Sequence, residues 1–349
     1  MENYDVVIVG AGPAGLKCAE VLAQNGKKVV VLEKNKMITG KICAGGLTIK
    51  SLELGFPGSI LQKKFNRIIL NTPLQRTEIS LGDKFVATVD RKELNEWMVK
   101  ESKKNGADIR FNSEVRQIDN NMIVLSDGQR IKYDCLVGAD GSNSLVRKHL
   151  KIGTEKFLEA FQYNIPKNLN KFELYIDPSK FGPAYAWIFP HKGFSSVGTG
   201  GDIRKYANSP VLGLSINKLK RNFDEWCFNK FGVTNSKLQA AIINYDYKGH
   251  EFGNKYLIGD AGGFASGLSG EGIYSAIKSG EDIANRIINK NYVCKNIAHI
   301  LKLKKYEENF LLRSLEINRT WTKIEFETIV FLLKIGFLKN TAVNILLEK

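Results

Sequence analysis

The 349-residue sequence lacks several features that would indicate a membrane, secreted or zinc-binding protein. No stretch reaches the roughly 18–20 apolar residues that a membrane-spanning helix needs. Five cysteines form an odd set without a C-x-x-C pair, so neither a disulfide framework nor a zinc site is indicated. The first strand-like run begins within about five residues of the start, which leaves no room for a signal peptide. These absences predict a protein of the reducing cytoplasm with no metal site.

Nucleic-acid binding is also disfavoured, although the formal net charge is +15. No basic run is interleaved with aromatic residues on a recognisable binding module. The excess of lysine has two explanations that the sequence leaves open. One is a general compositional bias, and the other is an anionic partner such as lipid head groups or a phosphorylated substrate.

A glycine-rich segment near the start of the chain carries the most specific signal. VVIVGAGPAGL at 6–16 predicts a strand, a tight turn and a helix start, with Gly10, Gly12 and Gly15 in G-x-G-x-x-G spacing. The first glycine permits the turn, the second lets the backbone approach a pyrophosphate, and the third lets helix and strand pack closely. The start of the helix would direct its free N–H groups at the phosphates.

Two further segments extend this nucleotide-binding pattern. The strand VVVLEK at 29–34 contains Glu33, which lies 18 residues after Gly15, close to the roughly 20-residue offset of a ribose-binding acid. YLIGDAGGFASGLSGEGI at 256–273 repeats the order of apolar strand, glycine turn and helix start. A chain with a second such site at the end of its nucleotide fold is expected to hold a long cofactor at both ends. FAD fits that description better than NAD.

The order of elements predicts an α/β protein with a Rossmann-like FAD-binding domain, an inserted mixed β-sheet substrate domain and a C-terminal helical region. The βαβ opening predicts a parallel sheet with a right-handed crossover. Strands are predicted at 66–88, and helices at 91–104 and 211–230. The predicted boundaries are 1–65, 86–154 and 251–295 for the discontinuous FAD-binding domain, 66–85 and 155–250 for the substrate domain, and 296–349 for the helical region.

Several motifs, in a fixed order, give the sequence a resemblance to a known family. VVIVGAGPAG with Glu33, VDRKELNEWM at 89–98, YDCLVGADGSNSLVR at 133–147 and LIGDAGGFASGLSGEGI at 257–273 resemble the FAD-dependent group that includes para-hydroxybenzoate hydroxylase. KICAGGL at 41–47 and YAWIFP at 185–190 are similar to segments of the geranylgeranyl reductase family, which includes digeranylgeranylglycerophospholipid reductases. The resemblance covers about residues 1–290. The chain departs from the family pattern at Gly262 and Gly267, where alanine and proline are usual.

The resemblance implies a set of FAD contacts. Ala14 and Glu33 would contact the pyrophosphate and the adenine ribose, and Arg91 would reach the phosphate side. Asp260 would bind the pyrophosphate or ribityl region, and a helix starting near Gly270 would direct backbone N–H groups at the flavin ring. The candidate cofactor contacts are Gly10, Gly12, Ala14, Gly15, Glu33, Lys34, Cys43, Ala44, Gly45, Gly46, Arg91, Val115, Asp140, Gly259, Asp260, Gly270, Gly272 and Ile273.

Several of these residues also have an ordinary structural interpretation. Asp260 is alternatively a turn acid or helix N-cap, and Arg91 a solvated residue of a first helical turn. Asp140 belongs to Gly138-Ala139-Asp140-Gly141, which together with Arg147 resembles a motif that in flavin hydroxylases touches FAD and the nicotinamide donor. The alternative is a strand-to-helix turn followed by an ordinary surface arginine.

Cys43 is the predicted catalytic residue. A cysteine in a helix or strand is usually a small buried apolar group, but Cys43 lies in a loop and is followed by Ala44, Gly45 and Gly46. Such a loop lets the backbone approach something flat. The resemblance places it beside the isoalloxazine, where the thiol would donate a proton to a substrate carbon or shape the pocket.

Three aromatic residues are the predicted substrate contacts. Tyr185, Trp187 and Phe189 alternate along YAWIFP and therefore project from one face of a strand. A row of aromatics suits an apolar substrate such as a prenyl chain, and ordinary sheet core is the alternative. His191 follows directly, but no acid or nucleophile stands at a readable spacing, so it is assigned no role.

The predicted function is FAD-dependent reduction of carbon–carbon double bonds in an isoprenoid or other lipid-like substrate. One alternative is an FAD-dependent monooxygenase that hydroxylates an aromatic or apolar small molecule. Another is a non-enzymatic flavoprotein at the membrane surface. No second complete G-x-G-x-x-G is present, so NADPH would dock transiently as electron donor, and a ferredoxin is an equal candidate.

The C-terminal tail is predicted to be helical and has two possible positions. TIVFLLKIGFL at 328–338 is too short to span a bilayer and contains Lys334. With KLKK at 302–305 and the basic residues Arg313, Arg319 and Lys323, the tail would lie on an anionic membrane surface. Alternatively, its helices cap the substrate domain and bury their apolar face. The predicted location is cytoplasmic, with a peripheral position at the inner face of the membrane as the alternative.

Overall fold

The computed structural model describes residues 1–38, 40–182, 185–202, 215–232, 237–316 and 319–334. Two compact units account for these residues. The first unit comprises Met1–Lys41, Arg91–Phe157 and Ile243–Lys304, and the second comprises Ile42–Asp90, Leu158–Ile242 and the chain after Lys304.

Both units are mixtures of strands and helices, as the α/β prediction requires. In chain order the strands are β1 (Glu2–Val9), β2 (Val29–Leu32), β3 (Gly46–Leu47), β4 (Leu61–Phe65), β5 (Arg67–Asn71), β6 (Arg76–Ser80), β7 (Val86–Val89), β8 (Asp108–Arg110), β9 (Val115–Ile118), β10 (Met122–Leu125), β11 (Arg130–Gly138), β12 (Phe157–Ile165), β13 (Phe172–Tyr175), β14 (Tyr185–Pro190), β15 (Ser195–Gly201), β16 (Gln239–Asn244), β17 (Glu251–Phe252) and β18 (Lys255–Leu257).

The helices are distributed through both units. In chain order they are α1 (Pro13–Gln24), α2 (Ile49–Leu52), α3 (Arg91–Lys104), α4 (Leu145–His149), α5 (Pro178–Phe181), α6 (Ile216–Phe231), α7 (Gly259–Gly262), α8 (Ile273–Ile288), α9 (Lys295–Glu316) and α10 (Arg319–Lys334). A short 3₁₀ helix spans Gly58–Ile60.

The first unit is organised by a parallel sheet with the order β18-β11-β1-β2-β8. Val6, Val7 and Ile8 of β1 are all buried, as expected for a strand whose two faces are both covered. Helix α1 follows β1 and begins at Pro13, the first-turn position that tolerates proline best. It packs closely on α8, since a Cβ at Gly280 would lie 2.3 Å from the backbone oxygen of Ala14. This is the Rossmann-like architecture that the sequence predicts.

The second unit contains a mixed sheet and a small antiparallel sheet. The larger sheet has the order β16-β12-β15-β14-β13-β5-β6, with β13 and β5 parallel. The smaller sheet has the order β3-β7-β4. Helix α6 covers part of the larger sheet through Leu219, Phe223 and Cys227, which belong to its apolar core.

The unit boundaries differ from the predicted domain boundaries at five places. Residues 42–65 and 86–90 belong to the second unit, because β3 and β4 both pair with β7. Residues 155–157, 243–250 and 296–304 belong to the first unit. In the last of these segments, the Nζ of Lys304 donates hydrogen bonds to the backbone oxygens of Tyr245 and Ala265. The assignment of an FAD-binding and a substrate role to these units stays a prediction.

The predicted helices are present, with small differences at their ends. Helix α3 has the predicted bounds, and α6 begins at Ile216. Residues 211–214 of that prediction, and 335–349 of the tail, lie outside the described residues. The side chain of Glu327 in α10 accepts hydrogen bonds from Thr72 and Gln75 in the β5–β6 turn, which favours the capping alternative for this helix. Among the described residues, no helix combines the length and the apolar composition that a bilayer crossing requires.

Candidate functional site

The glycines of the first motif divide into two physical classes. A Cβ at Gly10 would lie 2.5 Å from the oxygen of Ala139, and a Cβ at Gly15 would lie 2.2 Å from the oxygen of Gly10. Gly10 also has a φ of +104°, which side-chain-bearing residues rarely adopt. A Cβ at Gly12, in contrast, would have nothing within 4 Å. The fold itself therefore requires Gly10 and Gly15, whereas Gly12 leaves room for a ligand at the start of α1.

Glu33 is held beside this turn by hydrogen bonds. Its Oε2 accepts from the backbone N–H of Ala11 at 3.0 Å, and its Oε1 accepts from the backbone N–H of Asn35 at 3.0 Å. The backbone N–H of Gly10 donates to the oxygen of Leu32 at 2.8 Å, which links the end of β2 to the turn. The carboxylate has acceptor sites beyond these two bonds, so it is suitable for hydroxyl groups such as those of a ribose.

The second glycine-rich segment lies against the first within the same unit. A Cβ at Gly259 would be 2.9 Å from the Cβ of Ala14. Asp260 accepts a hydrogen bond from Ser142 Oγ at 3.0 Å and forms an ion pair with Lys41. A Cβ at Gly272, just before α8, would be 3.5 Å from Asp260 Oδ1. The structure thus brings together the predicted pyrophosphate turn, Asp260 and the start of α8.

Arg91 begins α3 and is only partly exposed. Within the described part of the chain, nothing accepts a hydrogen bond from its buried Nε. A Cβ at Gly40 would lie 3.2 Å from the Cβ of Arg91, so glycine at this position lets the chain pass close to the arginine. A buried guanidinium nitrogen without an acceptor is expected where an anionic ligand supplies the missing acceptor.

Asp140 and Arg147 have structural partners that the sequence does not reveal. Asp140 accepts from Ser144 Oγ at 2.5 Å and from the backbone N–H groups of Leu145 and Val146 at 2.6 and 3.3 Å. Burial raises the pKa of the Asp140 carboxyl, and these hydrogen bonds oppose the rise. The carboxylate therefore caps α4, and its role toward a cofactor stays a prediction.

Arg147 is 2% exposed, so the alternative of an ordinary surface arginine is wrong. Its guanidinium donates to the backbone oxygens of Ala261, Gly153 and Asp246 at 3.2, 3.0 and 2.8 Å. Burial lowers the pKa of Arg147, and the Asp246 carboxylate, 3.8 Å away, opposes that change. The arginine joins three segments around α7.

The two departures from the family pattern have a local physical reason. A Cβ at Gly262 would lie 2.6 Å from Phe264 Cε2, and a Cβ at Gly267 would lie 2.8 Å from Tyr245 Cδ2. Alanine and proline at these positions would therefore collide with aromatic rings that this chain places there. Glycine at positions 262 and 267 therefore leaves room for the rings of Phe264 and Tyr245.

The remaining cofactor candidates of the first unit differ in exposure. Lys34 is exposed just after β2, whereas Val115 is buried in the apolar core that includes Ile123 and Leu136. Gly270 has a φ of +69°. Ile273 is buried and begins α8, whose N-cap is Gly272. The side chain of Val115 is therefore a core side chain, and the cofactor contacts of this group stay predictions.

The cysteine loop belongs to the second unit and is held from several sides. The half-buried Cys43 accepts a hydrogen bond at Sγ from the backbone N–H of Gly45, at 3.4 Å. The Gly45 oxygen accepts from the backbone N–H of Val89 at 2.9 Å. A Cβ at Gly46 would lie 2.8 Å from Phe189 Cε2. The loop therefore packs directly on β14, the strand that carries the aromatic row.

The three aromatic residues of β14 share one face, as predicted. Trp187 lies 6.1 Å from Tyr185 and 6.2 Å from Phe189 between ring centroids. Phe189 also stacks on Phe172 at 4.0 Å. Trp187 and Phe189 are buried in the core of this unit, with Tyr185 at its margin. The core interpretation thus accounts for two of the three rings, and their contact with substrate stays a prediction.

Comparison with known proteins identifies the family. The FAD binding domain family matches residues 3–205 of the chain. An uncharacterized protein of Methanosarcina barkeri is 34% identical over 307 residues, covering 83% of this chain and 76% of that one. The chain belongs to the FAD-binding family. FAD is its cofactor, and it is an FAD-dependent oxidoreductase, as the sequence predicts.

Other relatives carry reductase names. The chloroplastic geranylgeranyl diphosphate reductase of Arabidopsis thaliana is 26% identical over 340 residues, covering 87% of this chain and 70% of the plant protein. Digeranylgeranylglycerophospholipid reductase 3 of Methanosphaera stadtmanae is 26% identical over 314 residues, covering 83% and 78%. The resemblance to the geranylgeranyl reductase family is thereby confirmed.

Solved structures support the fold. A geranylgeranyl bacteriochlorophyll reductase-like protein of Thermoplasma acidophilum matches with a TM-score of 0.72 and 20% identity over 93% of this chain and 90% of that one. PqsL, described as a probable FAD-dependent monooxygenase of Pseudomonas aeruginosa, matches with a TM-score of 0.68 and 16% identity, covering 93% and 100%. At these identities the likeness shows the fold alone.

Sequence reasoning missed three residues of these two sites. Lys41 forms an ion pair with the Asp260 carboxylate, and Asn244 donates from Nδ2 to the backbone oxygen of Asp260 at 2.8 Å. His191 contacts the backbone oxygen of Ala44 in the cysteine loop. Lys41 is the first residue of KICAGGL and His191 directly follows YAWIFP, so their positions at the segments that carry the narrower resemblance were the available signal. No such signal marks Asn244, because its contact depends on the fold.

Proposed function

We propose that this protein uses FAD to reduce carbon–carbon double bonds of an isoprenoid or other lipid-like substrate. The observation that carries the proposal is the packing of two segments in the second unit. KICAGGL and YAWIFP are far apart in the sequence, yet Gly45 and Gly46 are in contact range of His191 and Phe189. The segments that distinguish the reductase family are therefore parts of one local structure.

The geometry of the first unit supports a binding role for each of several groups. Gly12 and the start of α1 would hold the pyrophosphate, Glu33 would accept from the ribose hydroxyls, and the buried Nε of Arg91 would find its acceptor on the cofactor. Asp260 would accept from ribityl hydroxyls. When bound, FAD supplies the two-electron chemistry that amino-acid side chains lack.

The chemical roles belong to the cysteine loop. An isolated prenyl double bond accepts electrons poorly, so the protein must orient the substrate, exclude water and supply a proton. In this proposal Cys43 Sγ–H supplies the proton to a substrate carbon, and Tyr185, Trp187 and Phe189 provide apolar surface. The electron donor is NADPH or a ferredoxin. The excess positive charge would favour peripheral contact with an anionic membrane that contains the substrate.

An anaerobic reduction assay tests the proposal. Holoprotein would be supplied with dithionite, NADPH or reduced ferredoxin, and with geranylgeranyl diphosphate or geranylgeranyl lipids in uncharged or anionic vesicles. Mass spectrometry should detect a gain of two hydrogens for each reduced bond, faster from anionic vesicles, with the productive donor identified by flavin bleaching. The Cys43→Ser variant should form product far more slowly, although the donor still reduces its flavin.

Two results would contradict this assignment. Unchanged lipid masses with every donor, while the flavin is demonstrably reduced, would exclude the proposed substrate class. A product heavier by one oxygen, formed only in air, would instead identify the protein as a monooxygenase.

A further inference from the structure

We propose that His191 is a positioning residue that sets the reactivity of the Cys43 thiol through a single peptide group. His191 directly follows β14 and is 3% exposed. Its Nε2 lies 3.0 Å from the backbone oxygen of Ala44. The proposal deepens the proposed function, in which Cys43 is the proton donor, but its test requires neither substrate nor FAD chemistry.

The direction of this hydrogen bond follows from the partner. A carbonyl oxygen only accepts, so Nε2 carries the proton and donates. Burial lowers the pKa of His191, which favours the neutral ring with a bare Nδ1. In the described part of the chain nothing donates to that buried Nδ1. The charged residues that act on the ring are Asp90 and Lys63, which have opposite signs.

The hydrogen bond from His191 affects the Cys43 thiol because one peptide group of the loop takes part in both contacts. The Ala44 oxygen and the Gly45 N–H are the two ends of one planar peptide group. His191 holds the oxygen end, and the N–H end donates to Cys43 Sγ at 3.4 Å. A hydrogen bond at the carbonyl fixes the plane of the peptide and polarises its N–H, which strengthens the second bond.

The neighbours of the imidazole and of Gly45 pack closely around this contact. The His191 ring stacks on Phe194 at 4.5 Å with an interplanar angle of 4°. Gly45 has a φ of +74°, and a Cβ there would lie 2.7 Å from His191 Cε1 and 2.4 Å from the Val89 oxygen. The imidazole therefore occupies the space that a side chain at position 45 would take. An N–H group directed at sulfur stabilises the thiolate relative to the thiol.

The test is the pH dependence of Cys43 alkylation by iodoacetamide, followed by peptide mass spectrometry. His191→Phe keeps a flat ring on Phe194 but removes the donor to Ala44. We expect the midpoint of the Cys43 alkylation curve to move to higher pH by roughly half a unit or more. His191→Gln, whose amide nitrogen can reach the same oxygen, should restore the midpoint.

Two controls separate this effect from a general loosening of the fold. Cys294, in the first unit, is alkylated in the same samples, and its curve should not move in any His191 variant. His250→Phe removes a half-buried histidine of the first unit and should leave the Cys43 curve unchanged. If His191→Phe does not fold, His191→Asn, whose amide is too short for the contact, replaces it with the same expected shift.

An unchanged Cys43 midpoint in a folded variant without the donor would overturn the proposal. A shift that His191→Gln fails to reverse would do so as well. If the reductase assay fails but the Cys43 alkylation midpoint shifts in His191→Phe, only the proposed function is contradicted, because alkylation does not depend on the substrate.

Discussion

At the scale of single residues, the glycines of the first motif perform different tasks although their spacing forms one pattern. Gly15 is required by the packing of α1 on the turn, since a Cβ there would lie 2.2 Å from the Gly10 oxygen. Gly12 has open space around it and a φ of −79°, which any residue adopts. Substitution at these two positions should therefore affect two different properties.

The first prediction compares Gly12→Ala with Gly15→Ala. Gly12→Ala should keep the free energy of unfolding of the apoprotein within about 0.5 kcal/mol of the wild-type value. It should weaken FAD binding at least about tenfold, because the new methyl group enters the space of the pyrophosphate. Gly15→Ala should lower the free energy of unfolding by roughly 1–3 kcal/mol, since overpacking forces the backbone to move.

Urea denaturation and flavin-fluorescence titration measure the two properties separately. Glu20→Gln, on the same helix, is the control and should change neither of them. If Gly12→Ala binds FAD with unchanged affinity, the pyrophosphate does not lie at this turn.

At the scale of elements, helix α9 shows that a lysine-rich segment does not tell which of its lysines are exposed and which are buried. KLKK at 302–305 predicts an exposed surface, and Lys302 is indeed exposed. Lys304, two residues later, is buried and donates to the backbone oxygens of Tyr245 and Ala265 at 3.0 and 2.6 Å. Its ammonium also lies 5.5 Å from the centre of the Tyr245 ring. The helix thereby supports the loop before α8.

The second prediction compares two lysines of this helix. Lys304→Met leaves two buried carbonyl oxygens without their donor, so the free energy of unfolding should fall by roughly 2–4 kcal/mol. Lys302→Met removes the same charge from the surface and should change it by less than about 0.5 kcal/mol. Urea denaturation of both variants provides the measurement. Equal stability of the two would show that the contacts of Lys304 contribute nothing.

The elements themselves were largely predictable, whereas their partners were not. The G-x-G-x-x-G turn, α1, β2 and α3 follow from local patterns and were predicted at nearly their observed positions. The boundary between the units at Lys41 was not predicted, because it depends on the pairing of β3 with β7, about forty residues later. The burial of Arg147 likewise comes from carbonyl groups at 153, 246 and 261, which no local pattern contains.

The candidate sites show the same division. Glu33 and Asp260 follow from their distance to glycine turns, and the structure places both beside those turns. The contact between His191 and Ala44 joins positions about 150 residues apart. Sequence spacing gives no information about such a contact, and a histidine without a nearby acid was therefore assigned no role.

At the scale of the whole molecule, we expect two histidines to make stability depend on pH between about 5 and 7. Burial lowers the pKa values of His191 and His250 in the folded protein. In the unfolded chain a histidine titrates near about 6.5. Below that pH these histidines bind protons in the unfolded state but not in the folded state. Stability is therefore fully present above about pH 6.5 and is lost as the pH falls.

The third prediction isolates one of these groups. His250 Nδ1 lies 2.6 Å from the Tyr247 hydroxyl, and a glutamine there keeps a hydrogen-bonding side chain but does not titrate. From pH 7 to pH 5 the thermal midpoint of the wild-type protein should fall, and that of His250→Gln should fall less steeply. The difference corresponds to at most about 1.4 kcal/mol per pH unit for a single proton.

Differential scanning fluorimetry at several pH values would compare the wild-type and His250→Gln proteins in the same buffers. A wild-type slope retained by His250→Gln would mean that the half-buried imidazole accepts its proton without unfolding, and the acid sensitivity would then have to originate at His191.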